Sequence, residues 1–137
     1  MRPIEKRLDK LIRKLCRLTY HGMCYSCGLE GCDSHHIVGR NHKRQRWNIE
    51  NMVYLCRECH LEADNENLTF GRDLDVRVKI WSLGELEDIE AELKKKLDNM
   101  PDIRALEKEL QESKDIKELL FNNIILLRKE KNKGVVK

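Results

Sequence analysis

Two Cys-x-x-Cys pairs, Cys24/Cys27 and Cys56/Cys59, constrain this chain more than any other feature. Four thiolates in two knuckles of this spacing close a tetrahedral zinc, and an ion held by four sulfurs keeps no open position for chemistry. The pairs stand 28 residues apart, more than the roughly 15–20 of a small ribbon. The ion would therefore close a larger excursion, long enough for a two-stranded hairpin. Spacing alone leaves open an exchange of Cys32, His21 or His42 into the ligand set.

A metal staple also suits the composition. Of 137 residues, 37% are charged and 5% aromatic, where soluble domains average about 25% charged. Little apolar mass is left for a self-sufficient core, so one small domain with a helical appendage is expected. Reducing compartments keep thiols free, so cysteines in metal-type pairs point to a cytoplasmic protein. No run of about 18 apolar residues is present, and Met1 to Lys6 leads into a charged amphipathic segment, so neither a membrane span nor a signal peptide is expected. Residues 1–60 hold 12 Lys/Arg against 6 Asp/Glu and residues 61–137 hold 15 against 18, net charges of +6 and −3. A basic amino-terminal half containing the metal stretch fits a polyanionic partner.

Periodicity divides the chain into three parts. Residues 1–22 read as a basic amphipathic helix: Ile4, Leu8, Leu11, Leu15 and Leu18 form one stripe, and seven of the other positions are Arg or Lys. Pro3 fits its first turn and Gly22 its exit. Residues 23–68 read as the core. Within it, residues 33–38 and Asn51 to Leu55 are expected strands, and a helix from Arg57 or Glu58 carries Cys59, His60 and Asp64. Between the strands, residues 39–48 form a loop with Arg40, Lys43, Arg44 and Arg46, cations suited to phosphates, and Trp47 as a packing residue.

Residues 69–137 read as a helical extension. A helix over 69–83 ending at Gly84 is expected, then one over 85–99 with Leu86, Ile89, Leu93 and Leu97 on one side. From Pro101 on, Ile103, Leu106, Leu110, Leu120, Ile124 and Leu127 sit on heptad positions, a seam for an intrachain hairpin or for a homodimer.

Interleaved with the cysteines lies a second polar set: His35, His36, Asn51, His60 and Asp64. A neutral imidazole is a competent base for water near neutral pH. Adjacent strand residues point to opposite faces, so His35 and His36 divide two tasks, one toward a metal and one toward water. Asn51 can hold a backbone or lend its oxygen to a cation. His60, fixed at a helix start, is well placed as a ligand, and Asp64, four residues on, shares its face.

Cys-x-x-Cys-Gly, His-His-Ile-Val, Asn-Met-Val-Tyr-Leu-Cys and Cys-x-x-Cys-His, in this order, resemble the HNH endonucleases with a ββα-metal fold and a four-cysteine zinc. The match covers about residues 24–64. The resemblance implies an α+β protein: a zinc-stapled ββα-metal nuclease core with flanking amino- and carboxy-terminal helices. It further implies a metal-dependent DNA endonuclease in which His36 is the general base and His35 binds a divalent ion. Asn51 would orient the site or help bind that ion, His60 is the closing histidine, and products carry a 5′ phosphate. Where some relatives have a further histidine, this chain has Asp64, an oxygen ligand suited to Mg²⁺ or Mn²⁺. His36-Ile37-x-Gly39-Arg40, with Arg46-Trp47 and Asn51, is also similar to the phage Rap/NinG-type recombination nucleases, which implies a phage or mobile-element setting and branched DNA. The competing expectation is a zinc module that binds nucleic acid or protein and cuts nothing.

Overall fold

The computed structural model describes residues 1–100 together with 108, 111, 112 and 116. In chain order the elements are α1 (Pro3–Thr19), β1 (Asp33–His36), a single 3-10 turn (Ile49–Asn51), β2 (Met52–Leu55), α2 (Arg57–Glu66) and α3 (Leu83–Asp98). The fold is a small α+β arrangement, and β1, β2 and α2 follow one another as a β-β-α unit with helices before and after.

The sheet is one antiparallel pair, with Asp33 opposite Leu55, Ser34 opposite Tyr54, His35 opposite Val53 and His36 opposite Met52. Residues directly opposite share a face, which sorts the hairpin into two sides. Met52 and Tyr54 pack into a cluster with Leu8, Ile12, Leu15 and Leu18 of α1. Val53 and Leu55 pack with Cys24 and Ala63, on the side of α2 and the cysteines. All four residues of β2 are buried because each face meets a different layer. His35 therefore faces α2, and His36 faces α1.

Helix α1 begins where Pro3 fixes the first turn and the Arg2 backbone N–H donates to Glu5 Oε2 at 2.8 Å. Its stripe is shifted slightly from the expected one: Ile12 is fully buried, and Leu11 lies at the margin. The chain leaves α1 through His21 and Gly22, both with positive φ, which turns it back toward the first knuckle.

Two expectations for the extension need correction. Residues 69–82 form no helix. Val76, Val78 and Ile80 of this segment are exposed, so their alternation has neither a sheet nor a helix face to serve. Gly84 does not stop a helix but lies in the first turn of α3. The start of α3 is set by Ser82, whose Oγ accepts from the Glu85 N–H at 3.1 Å while its own N–H donates to Glu85 Oε1 at 3.3 Å. Leu86, Leu93 and Leu97 are buried in the same cluster as α1, and Arg7 of α1 pairs with Glu90 at 2.8 Å. The apolar stripe of α3 is thus turned to α1. The heptad seam from residue 103 onward, and with it the dimer expectation, lies outside the described residues. No helix among the described residues is long and apolar enough to cross a membrane.

Candidate metal centres

The four paired cysteines meet as the spacing predicts. The sulfurs of Cys24, Cys27, Cys56 and Cys59 lie within 4.8 Å of one another. Zinc bound to four sulfurs at about 2.3 Å separates them by about 3.8 Å, and Cys27 Sγ stands 3.8 Å from Cys56 Sγ. Each knuckle repeats one local geometry: the N–H of Cys27 donates to Cys24 Sγ and that of Cys59 to Cys56 Sγ, both at 3.5 Å. Gly28, at φ 75°, takes the left-handed turn that lets the first knuckle fold around its sulfur. Cys56 also caps α2, so the positive end of that helix faces the sulfurs.

The thiols of this cage are electrostatically opposed. Burial works against ionisation of Cys24, but the backbone N–H groups around its sulfur bring it down to about 7. Burial and the neighbouring sulfurs push Cys59 the other way. A dication among them lets all four ionise together, so the donor set fits structural zinc. Cys16, on the buried side of α1 with its thiol pushed up by burial to about 11, and Cys32 stand outside the cage.

A second cluster forms on the α2 side of the hairpin. His35, His60 and Asp64 each offer a ligand atom within 4.8 Å of the others. His35 Nδ1 is 3.6 Å from Asp64 Oδ1, and His60 Nε2 is 3.5 Å from Asp64 Oδ2. Adjacent donors around a small divalent ion at about 2.1 Å stand roughly 3 Å apart, so a modest closure completes the site. Burial, followed by the nearby His60, holds His35 below the ordinary histidine pKa, which keeps its lone pair available. Phe70 packs on the ring of His35 and shields it, with 6.1 Å between ring centres.

Asp33 belongs to this cluster although the sequence reading passed it over. Its Oδ2 lies 3.0 Å from His60 Nδ1. A carboxylate only accepts, so Nδ1 carries the proton and the Nε2 lone pair of His60 points toward Asp64. The same hydrogen bond holds the Asp33 carboxyl below the usual carboxylate range. The signal was available, because Asp33 and His35 are two apart on one strand and share its face.

His36 and Asn51 stand outside the cluster. His36 Nε2 is 3.1 Å from the carbonyl of Arg46, which fixes the proton on Nε2 and leaves Nδ1 with a lone pair. Burial depresses its pKa, and the Arg46 carbonyl partly offsets this. Asn51 is fully buried: its Oδ1 accepts from the Val38 N–H at 2.8 Å, and its Nδ2 donates to the carbonyls of Val38 at 3.2 Å and Gln45 at 3.0 Å. That amide ties Gln45 of the 39–48 loop to Val38 at the loop's start, and the same loop carries the carbonyl that His36 uses.

The loop cations are placed differently from one another. Arg46 is buried and forks onto Asp9 at 2.8 and 3.2 Å, beneath a Trp47 whose Nε1 donates to the same carboxylate at 2.9 Å. These two residues lock the loop to α1. Arg44 lies 3.6 Å from Asp75, and Lys43 lies 4.0 Å from Glu5. Arg40 is exposed beside His36.

Compared with known proteins, the chain matches no family model, and no curated protein or solved structure matches it.

Proposed function

We propose that this protein is a metal-dependent DNA endonuclease of the HNH, ββα-metal type, with the four-cysteine cage as scaffold. The observation that carries this reading is the convergence of His35, His60 and Asp64 into a group that shares no donor with the sulfur cage. A structural zinc module has no use for that second group, nor for the carboxylate that orients His60.

A divalent ion held by His35, His60 and Asp64 would offset charge on the phosphoryl oxygens and on the departing 3′ oxygen. Of the expected ions, Mn²⁺ suits two imidazoles better than Mg²⁺ does. His36 would take the proton of the attacking water at Nδ1, the nitrogen left free by the Arg46 carbonyl, which requires the scissile phosphate to reach round the end of the hairpin from the α2 face. Burial keeps this imidazole neutral near neutral pH, with its lone pair available to accept that proton. The water oxygen bonds to phosphorus, the bond from phosphorus to the 3′ oxygen breaks, the departing 3′ oxygen takes a proton from solvent water, and the products carry a 5′ phosphate and a 3′ hydroxyl. Asn51 acts through the backbone, by holding the loop that orients His36.

Nicking of supercoiled plasmid by the zinc-loaded chain tests the reading. Activity is expected with Mn²⁺ and with Mg²⁺, and His36→Ala is expected to lower it by about 10²–10⁴-fold with zinc content unchanged. Undiminished activity in that variant removes His36 as the base. Duplex binding with no cleavage under any divalent ion would favour the silent zinc module instead.

A further inference from the structure

The two edges of the hairpin differ. The outer edge of β2 is occupied: the Tyr54 carbonyl accepts from the Tyr25 N–H at 2.8 Å, and the Met52 carbonyl accepts from Arg72 and from the Tyr20 hydroxyl. The outer edge of β1 has no strand beside it among the described residues. An open groove of about 700 Å³ lies there, lined by Arg13, Lys14 and Arg17 of α1, by Asp33 and Tyr54 of the hairpin, and by His60 of α2. It therefore joins the basic side of α1 to two members of the histidine–carboxylate cluster.

Arg13 and Arg17 are exposed, and neither is joined to a carboxylate of the described residues. Three of the four loop cations contrast with them, since Lys43, Arg44 and Arg46 each lie against an acidic side chain, while Arg40 is exposed beside His36. Four residues apart, Arg13 and Arg17 share one face of α1 with about 6 Å of rise between them. A DNA strand advances about 3.4 Å per phosphate along the duplex axis, so the pair matches phosphates one or two nucleotides apart. The acidic residue in the groove, Asp33, is already met by His60 at 3.0 Å and Arg57 at 3.8 Å.

We propose that this groove seats the sugar-phosphate backbone of duplex DNA, with Arg13 and Arg17 as positioning residues that grip phosphates on the α1 side. A phosphodiester farther along the same strand then reaches the cluster. The proposal rests on the nuclease reading for its substrate class and moves the principal DNA track from the 39–48 loop to α1.

Binding can be read separately from cleavage. The zinc-loaded full chain is titrated into a fluorescein-labelled duplex of about 20 base pairs, without added Mg²⁺ or Mn²⁺, across a range of salt concentrations. Arg13→Gln/Arg17→Gln is expected to weaken binding about tenfold or more and to reduce the slope of log affinity against log salt by about 2. Arg13→Lys/Arg17→Lys is expected to keep most of that slope, and Lys43→Gln/Arg44→Gln to bind within about twofold of wild type. Wild-type affinity and slope in the Gln pair, no duplex binding by the wild type, or a preference for single-stranded RNA of equal length would each overturn the groove. Loss of binding in the Gln pair from a wild type that cuts no DNA leaves the groove standing and removes the nuclease reading. Cleavage undiminished in the Gln pair at low DNA concentration does the reverse.

Discussion

A histidine offers a metal only the ring nitrogen that carries no proton, and Asp33 decides which one that is for His60. Asp33→Asn keeps the size of the side chain but lets an amide of either orientation meet Nδ1, so the tautomer is no longer enforced. The Mn²⁺ concentration for half-maximal nicking is expected to rise about 10–100-fold, with the rate at saturating Mn²⁺ largely retained. A fall in the saturated rate with no change in metal requirement would contradict a positioning role. At this scale the residue types were legible and their partners less so. His35, His60 and Asp64 meet as ligand-compatible neighbours, whereas Asn51 spends its amide on Val38 and Gln45 and Arg46 on Asp9. Sequence shows which side chains are polar; burial decides which are consumed in holding a loop.

At the scale of elements, α3 shows how local chemistry and packing combine. Ser82 and Glu85 form a capping box, worth about 1 kcal/mol, and the stripe through Leu86, Leu93 and Leu97 closes on α1. Leu86 is fully buried there, so Leu86→Ala is expected to lower stability by about 2–5 kcal/mol in urea denaturation. Nicking measured well below the transition should stay near wild type, because α3 lines neither metal centre. A loss below about 1 kcal/mol would mean that α3 is not docked on α1. The α1 stripe and the strand–helix succession were readable from periodicity. The segment 69–82 was not, because its alternation of Leu74, Val76, Val78 and Ile80 mimics a strand while Phe70, Leu74, Val78 and Trp81 mimic a helix. The Ser82-Leu83-Gly84-Glu85 signature was the better guide, and it places the helix start after that segment.

For the molecule as a whole, the hairpin is a partition. One face meets the stripe of α1, the other meets α2 and the sulfur cage, and the histidine–carboxylate cluster sits on the second face without sharing a donor with the cage. Two centres with distinct donors should load and fail independently. Soft thiolates retain zinc, while imidazole and carboxylate accept Mn²⁺. The direct measurement is metal stoichiometry on the full chain: zinc by elemental analysis and added Mn²⁺ by electron paramagnetic resonance, in the wild type and in His35→Ala/His60→Ala. Two sites predict about one zinc per chain in both proteins and a bound Mn²⁺ that only the wild type holds. Loss of zinc from the double variant, or Mn²⁺ bound equally by both, would contradict the proposed division into scaffold and hydrolytic site.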